Sequence, residues 1–166
     1  MAICISYERE YALAERLCRY KFMNKRGESL SMRAYIAIKY HPDNRNRKRI
    51  AALSDTLQAV GVASLCIARD VERWGEVHLD VQTLMERSFE GIDASDFLLV
   101  DLSEKGVGIG IEAGYAYARG IPLLTVAQEG AEISATLRGI SQELHSYREP
   151  GDLRPVLAAW VRSLEL

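Results

Sequence analysis

Short, uninterrupted apolar runs alternate along the chain with longer segments whose apolar residues recur every three or four positions. Ala34-Tyr35-Ile36-Ala37-Ile38-Lys39-Tyr40 is the first strong strand, and His41-Pro42-Asp43-Asn44 breaks it, because proline lacks an N–H and Asp/Asn favour turns. Ile50, Leu53, Leu57 and Val60 then predict a helix over about 45–60, ended by Gly61. Val62–Ile67 reads as the second strand, followed by a loop with Trp74 and Gly75. A helix over about 79–92 carries Leu84, Met85, Ser88, Phe89 and Ile92 on or near one face. Phe97-Leu98-Leu99-Val100, bounded by Asp96 and Asp101, suits a strand buried on both faces. A glycine-rich loop and a helix over about 111–119 come next. The strand Ile121–Val126, a turn at Gln128-Glu129-Gly130, a helix near 133–140, a weak strand near 144–147 and a last helix near 152–164 complete the pattern.

Strand–helix alternation of this kind predicts βαβ units and a doubly wound α/β domain. Its expected core is a five-stranded, mostly parallel sheet in a flavodoxin- or Rossmann-like sandwich spanning 33–166. Residues 1–32 stand apart, with a helical pattern (Leu13, Leu17, Tyr20) and a polar break at Asn24-Lys25-Arg26-Gly27. They read either as an added N-terminal helix or as an upstream extension of the reading frame, with Met32 as the alternative start.

The 166 residues, 48% apolar, suffice for one folded domain. A net charge of −2 leaves no electrostatic footprint for nucleic acid. No apolar run approaches the ~20 residues that cross a bilayer, so no membrane partner is expected. Acidic Glu8 and the lack of a small-residue cleavage site predict no secretory signal. Cys4, Cys18 and Cys66 have neither disulfide-framework nor CxxC spacing, which favours a reducing cytoplasm and no metal site.

The chemistry is expected at the carboxyl ends of the strands. There Gly106, Gly108 and Gly110 form a GxGxG run, which lets backbone approach a ligand and turns N–H groups toward it. It is not the dinucleotide GxGxxG, it follows the third strand, and no GxxxxGK[ST] exists. The loop after the first strand also lacks the Ser/Thr/Gly-rich pattern of an FMN site. No cofactor is therefore expected. Glu112 falls at the start of the following helix, where the helix N-terminus favours an ionised carboxylate. It is either a nucleophile beside a backbone-lined pocket or a helix-capping residue.

Asp96, Asp101 and the run Gly106-Val107-Gly108-Ile109-Gly110-Ile111-Glu112-Ala113-Gly114-Tyr115-Ala116 resemble the nucleoside 2-deoxyribosyltransferase family and the related 2'-deoxynucleoside 5'-phosphate N-hydrolases. Ser134-Ala135-Thr136-Leu137-Arg138-Gly139 is similar to a phosphate-binding segment of the N-hydrolases, and Tyr35 matches an active-site tyrosine; the resemblance covers about 34–147. It implies cleavage or transfer of the N-glycosidic bond of a (deoxy)nucleoside or its 5'-monophosphate, through attack of Glu112 on C1' and a covalent glycosyl-enzyme. It also implies a homodimer or larger assembly, with Ser134 binding 5'-phosphate across the interface and Tyr147 and the last helix as interface elements. Ser88 stands where the family has an aspartate and joins Glu112 and Tyr35 in the expected catalytic set. Gly106 replaces a phosphate-binding serine of the N-hydrolases or an aspartate of the transferases, with Ser103 and Lys105 nearby.

His41, Asp101, Gly106, Gly108, Gly110 and Ser134 make up the expected sugar and phosphate cradle. Asp93, Glu90 and Asp70 are the carboxyls nominated to replace the missing aspartate as proton donor. Arg69–Gly75 reads either as a base-stacking element using Trp74 or as a salt-bridged surface loop. The alternative to an enzyme is a nucleotide-binding sensor on the same fold that has lost catalysis.

Overall fold

The computed structural model describes residues 22–23, 29–30 and 32–164. The expected N-terminal helix lies outside the described residues. Phe22–Met23 pairs antiparallel with Ser29–Leu30 as a separate two-residue ladder. The main sheet contains β1 (Met32–Ile38), β2 (Val62–Leu65), β3 (Phe97–Asp101), β4 (Leu123–Gln128) and β5 (Glu143–Tyr147). Their order is β2-β1-β3-β4-β5, and every neighbouring pair is parallel, so the sheet is parallel throughout rather than mostly. The helices are α1 (Arg47–Gln58), α2 (Val81–Asp93), α3 (Val107–Ala118), α4 (Ala135–Ile140) and α5 (Arg154–Leu164).

The pleat divides the core. Ala34, Ile36, Phe97, Leu99, Leu124 and Val126 face α1 and α5, meeting Leu53, Leu57, Leu157 and Trp160. Tyr35, Ala37, Leu98, Val100 and Leu123 face α2, α3 and α4, meeting Ile92, Ile109, Ala113 and Leu137. All five residues of β3 are buried, as its unbroken apolar run requires of a central parallel strand.

Two strand ends depart from expectation for local reasons. β1 stops at Ile38, and the Lys39 carbonyl leaves the sheet to accept from Asn46 Nδ2 at 2.7 Å. β2 stops at Leu65 because the Cys66 amide donates to the Asp70 carboxylate at 2.8 Å, and the chain coils into a wide turn over Ile67–Val71. The third departure is larger. α3 begins at Val107, so the expected glycine loop is mostly helix; only Gly106 stays extended, at the N-cap. Glycine reads as a breaker, and each helical glycine costs about 1 kcal/mol against alanine. Burial of Ile109, Ala113 and Ala116 on one face outweighs that cost.

At the end of β3, the buried Asp101 carboxyl accepts from the Tyr147 hydroxyl at 2.7 Å and the Ser103 amide at 2.8 Å. The Ser103 hydroxyl in turn accepts from the Gln128 amide at 2.9 Å. This network ties β3 to β4 and β5. Tyr147 is 2% exposed, which places it in the core rather than at the expected interface. Tyr147→Phe leaves a buried carboxyl short of a donor and should cost about 1–3 kcal/mol, measured as a lower denaturant midpoint with unchanged m-value.

Candidate active site

In a 2-1-3-4-5 sheet the connections leave β1 and β3 toward opposite faces, opening a crevice at the carboxyl ends of these strands. Here it is a cleft of about 360 Å³. Tyr35 and Glu112 form its floor with Cys66 and Ser88, while Lys39 and Tyr40, Glu72, and the α3 start at Gly106–Ile109 form its walls.

Glu112 sits in the second turn of α3, next to the buried Ala113. The helix-terminus field fades within the first turn, so it does not govern this carboxyl as the sequence suggested. Burial governs instead and raises the Glu112 pKa to about 7, opposed by the hydroxyls of Tyr35 and Ser88. The Tyr35 hydroxyl donates to Glu112 Oε1 at 2.6 Å. Tyr35 is held firmly protonated, first by its own burial and then by the Glu112 charge, so it remains a donor throughout the physiological range. Ser88 is buried; its hydroxyl donates to the Leu84 carbonyl at 3.1 Å and also acts on Tyr35 and Glu112. Burial pushes the Cys66 thiol up to about 12, which keeps it a neutral part of the cleft lining.

The Tyr35 ring is locked from behind. A Cβ on Gly91 of α2 would lie 2.6 Å from the tip of Leu65 at Cδ2 and 3.2 Å from the Tyr35 ring, so a larger residue here would press on both.

The structure thus brings together Glu112, Tyr35, Ser88, Gly106 and Gly108. Other expected site residues lie elsewhere. Asp101 is buried in its network with Tyr147 and does not line the cleft. His41 is buried, with Nε2 3.1 Å from the Glu104 carboxylate, which Arg45 and Arg49 also approach at 3.4 and 3.7 Å. Burial opposes ionisation of Glu104, but His41 and Arg45 prevail and hold it below the usual range. Gly110 and Ser134 line a second hollow of about 500 Å³ with Lys105 and Thr136, separated from the cleft by the Gly106-Val107 edge that borders both.

Trp74 also points away from the cleft. It packs on the α1 side of the core, with the Arg47 guanidinium 4.7 Å over its ring and its carbonyl accepting from Asn44 Nδ2 at 2.7 Å. The three nominated carboxyls are committed too: Asp93 to Tyr115 and Arg119, Glu90 to Arg87, and Asp70 to Arg69 and the Cys66 amide. Sequence reasoning misses Lys39, Tyr40 and Cys66, and reaches Glu72 only as part of the Arg69–Gly75 alternative. For Lys39 and Tyr40 the available signal was their place at the carboxyl end of the first strand. Among the described residues, no group of three or more His, Cys, Asp or Glu is arranged to hold a metal ion, and no helix is long and apolar enough to cross a membrane.

Fold and site define a doubly wound α/β domain with the Glu112–Tyr35 pair in its switch-point cleft. The Clostridium botulinum CMP N-glycosidase BcmB shares this fold at 18% identity and a TM-score of 0.55, over 77% of this chain and 98% of that one. The 2-deoxyribosyltransferase of Bacillus psychrosaccharolyticus does so at 14% and 0.57, over 75% and 95%. The solution structure of BlsM does so at 17% and 0.61, over 82% and 93%. At these identities the likeness is one of fold. No family model and no curated protein sequence matches the chain.

The raised Glu112 pKa carries a stability signature. Between the ordinary carboxyl value of 4.5 and about 7 the native state keeps a proton that the unfolded chain releases, so stability falls as pH rises through this window. Glu112→Gln removes that penalty. The variant should be more stable than wild type at pH 8 by on the order of 1–3 kcal/mol and nearly equal to it at pH 4.5, read by urea unfolding at both pH values.

Proposed function

We propose that this protein cleaves or transfers the N-glycosidic bond of a (deoxy)nucleoside or nucleoside 5'-monophosphate, with Glu112 as the nucleophile. The observation that carries this reading is the Tyr35 hydroxyl 2.6 Å from Glu112 Oε1 at the floor of the switch-point cleft. A carboxylate oriented by the Tyr35 hydroxyl can present an oxygen to C1', as attack there demands. The Glu112 oxygen bonds to C1' as the C1'–N bond breaks and its electron pair leaves with the base. Water then cleaves the glycosyl ester in hydrolysis, or a second base does so in transfer. That a CMP N-glycosidase and a 2-deoxyribosyltransferase share the fold supports the choice of bond.

Gly106 and Gly108 present the start of α3 to the sugar. The second hollow, with Gly110 and Ser134, takes the 5'-phosphate side, and His41 and Asp101 support the neighbouring loops. The working form is a homodimer or larger, which the exposed Val107, Ile111 and Tyr117 on α3 support at 83%, 45% and 57% exposure. Ser88, a hydroxyl where a carboxyl is expected, favours a second reading: a nucleotide-binding module without turnover.

Free base should appear on chromatography when the protein is incubated with a panel of ribo- and deoxyribonucleosides and their 5'-monophosphates. Glu112→Gln should reduce release by at least ~10³-fold. Binding of one member without release of base would select the second reading. For a base that leaves without protonation, such as an N7-methylated purine, the rate should rise with pH as Glu112 ionises near 7. Tyr35→Phe removes the hydroxyl that lowers the Glu112 pKa, so the rising limb of its kcat/KM profile should move to higher pH.

A further inference from the structure

A purine or pyrimidine anion is a poor leaving group, so a retaining N-glycosidase gains from a proton donor beside the base. The three carboxyls nominated above are tied to other partners, and Ser88 has no acid strength. Glu112 and Glu72 are the two carboxyls among the described cleft-lining residues. The Glu72 carboxyl has no hydrogen-bond or ion-pair partner among the described residues; only a longer-range attraction to His78 bears on it.

Its backbone, by contrast, is held at three points. The Glu72 amide donates to the Ile67 carbonyl at 3.0 Å, and the Glu72 carbonyl accepts from the Gly75 and Val77 amides, each at 2.9 Å. The next two residues, Arg73 and Trp74, are non-glycine residues in the left-handed region at φ 48° and 63°. Such positions cost on the order of 1–3 kcal/mol each and persist only where the surroundings over-determine them. Here the anchors are Trp74 packed against the core, the Arg47 guanidinium on its ring, and Asn44 on its carbonyl. Glu72, directly before this strained turn, lines the same cleft as the floor pair. Burial moves the Glu72 pKa upward, in the direction a proton donor needs.

Resting on the N-glycosidic reading, we infer that Glu72 is the general acid that protonates the departing base, with the strained Arg73-Trp74 turn as the device that positions it. In the first step the Glu72 proton passes to a ring nitrogen or the exocyclic oxygen of the base. The C1'–N pair leaves with the base, and a Glu112 oxygen bonds to C1'. In the second step Glu72, now a carboxylate, takes a proton from the attacking water or second base, the new bond forms at C1', and the ester pair returns to Glu112.

The test compares Glu72→Gln with wild type on two forms of whichever nucleoside the protein accepts. One form is unmodified; the other has a leaving group that needs less protonation, N7-methylated for a purine or 5-fluorinated for a pyrimidine. Loss of an acid should slow the unmodified substrate by about 10²–10⁴-fold and the N7-methyl substrate at least tenfold less, with a smaller difference for the fluorinated one. Glu72→Ala should regain rate on the unmodified substrate when formate is added as an external acid, which keeps the assignment testable if the glutamine variant folds poorly. Equal loss on both forms, or no loss on the unmodified one, overturns the role of Glu72 and leaves that of Glu112 intact. Base release absent from wild type on every substrate overturns the N-glycosidic reading and the Glu72 role together.

Discussion

A partly buried carboxyl set against a tyrosine hydroxyl at the floor of the cleft is the constraint on which this site depends. Burial makes the Glu112 charge costly, and the hydroxyls of Tyr35 and Ser88 recover part of that cost, leaving the group balanced near neutrality. The balance requires Tyr35 on the α2/α3 side of β1, α3 angled so that its second turn reaches the strand ends, and α2 close enough to pin the ring. The pleat supplies the first, the buried Ile109-Ala113-Ala116 stripe the second, and Gly91 the third. A shift of one residue in the β1 register would turn Tyr35 to the α1/α5 face and leave Glu112 without its principal partner.

The two sides of the cleft are held by different means. The floor is secured by core packing, where shape and burial leave few alternatives. The Glu72 wall is secured by a turn whose strain is balanced by a tryptophan anchored on the other face of the sheet. Trp74 bears on the site through the backbone although it does not line it. Anchoring on the side away from the cleft leaves the inner face of the turn free for a polar group.

Much of the architecture was legible in the chain. Helix periodicities and apolar runs located all five sheet strands and the helices between them, and the unbroken run of β3 marked the sheet centre. The start of α3 was hidden because glycines argue locally for a loop, while the burial that decides the matter is non-local. At the site, Glu112, Tyr35 and Ser88 line one cleft, and all three lie on or beside segments whose faces follow from periodicity. Asp101 and Tyr147 illustrate the reverse: a strand-end acid and a late tyrosine look functional or interfacial until the fold closes them on each other at 2.7 Å. Glu72 was obscured by its neighbours, because Arg69–Gly75 offers four charges and a tryptophan. Which of them faces the cleft depends on a left-handed turn that composition does not announce.

The most direct measurement is the mass of the tryptic peptide bearing Glu112 after acid quench, using a 2'-fluoro analogue of the accepted nucleoside, whose electron-poor sugar slows breakdown of a glycosyl ester. A mass increment equal to the fluorinated glycosyl group on Glu112, appearing with stoichiometric base release and absent with Glu112→Gln, is the expected result. Base release with an unmodified Glu112 peptide, or an adduct on another residue, would contradict the central role given to this carboxyl.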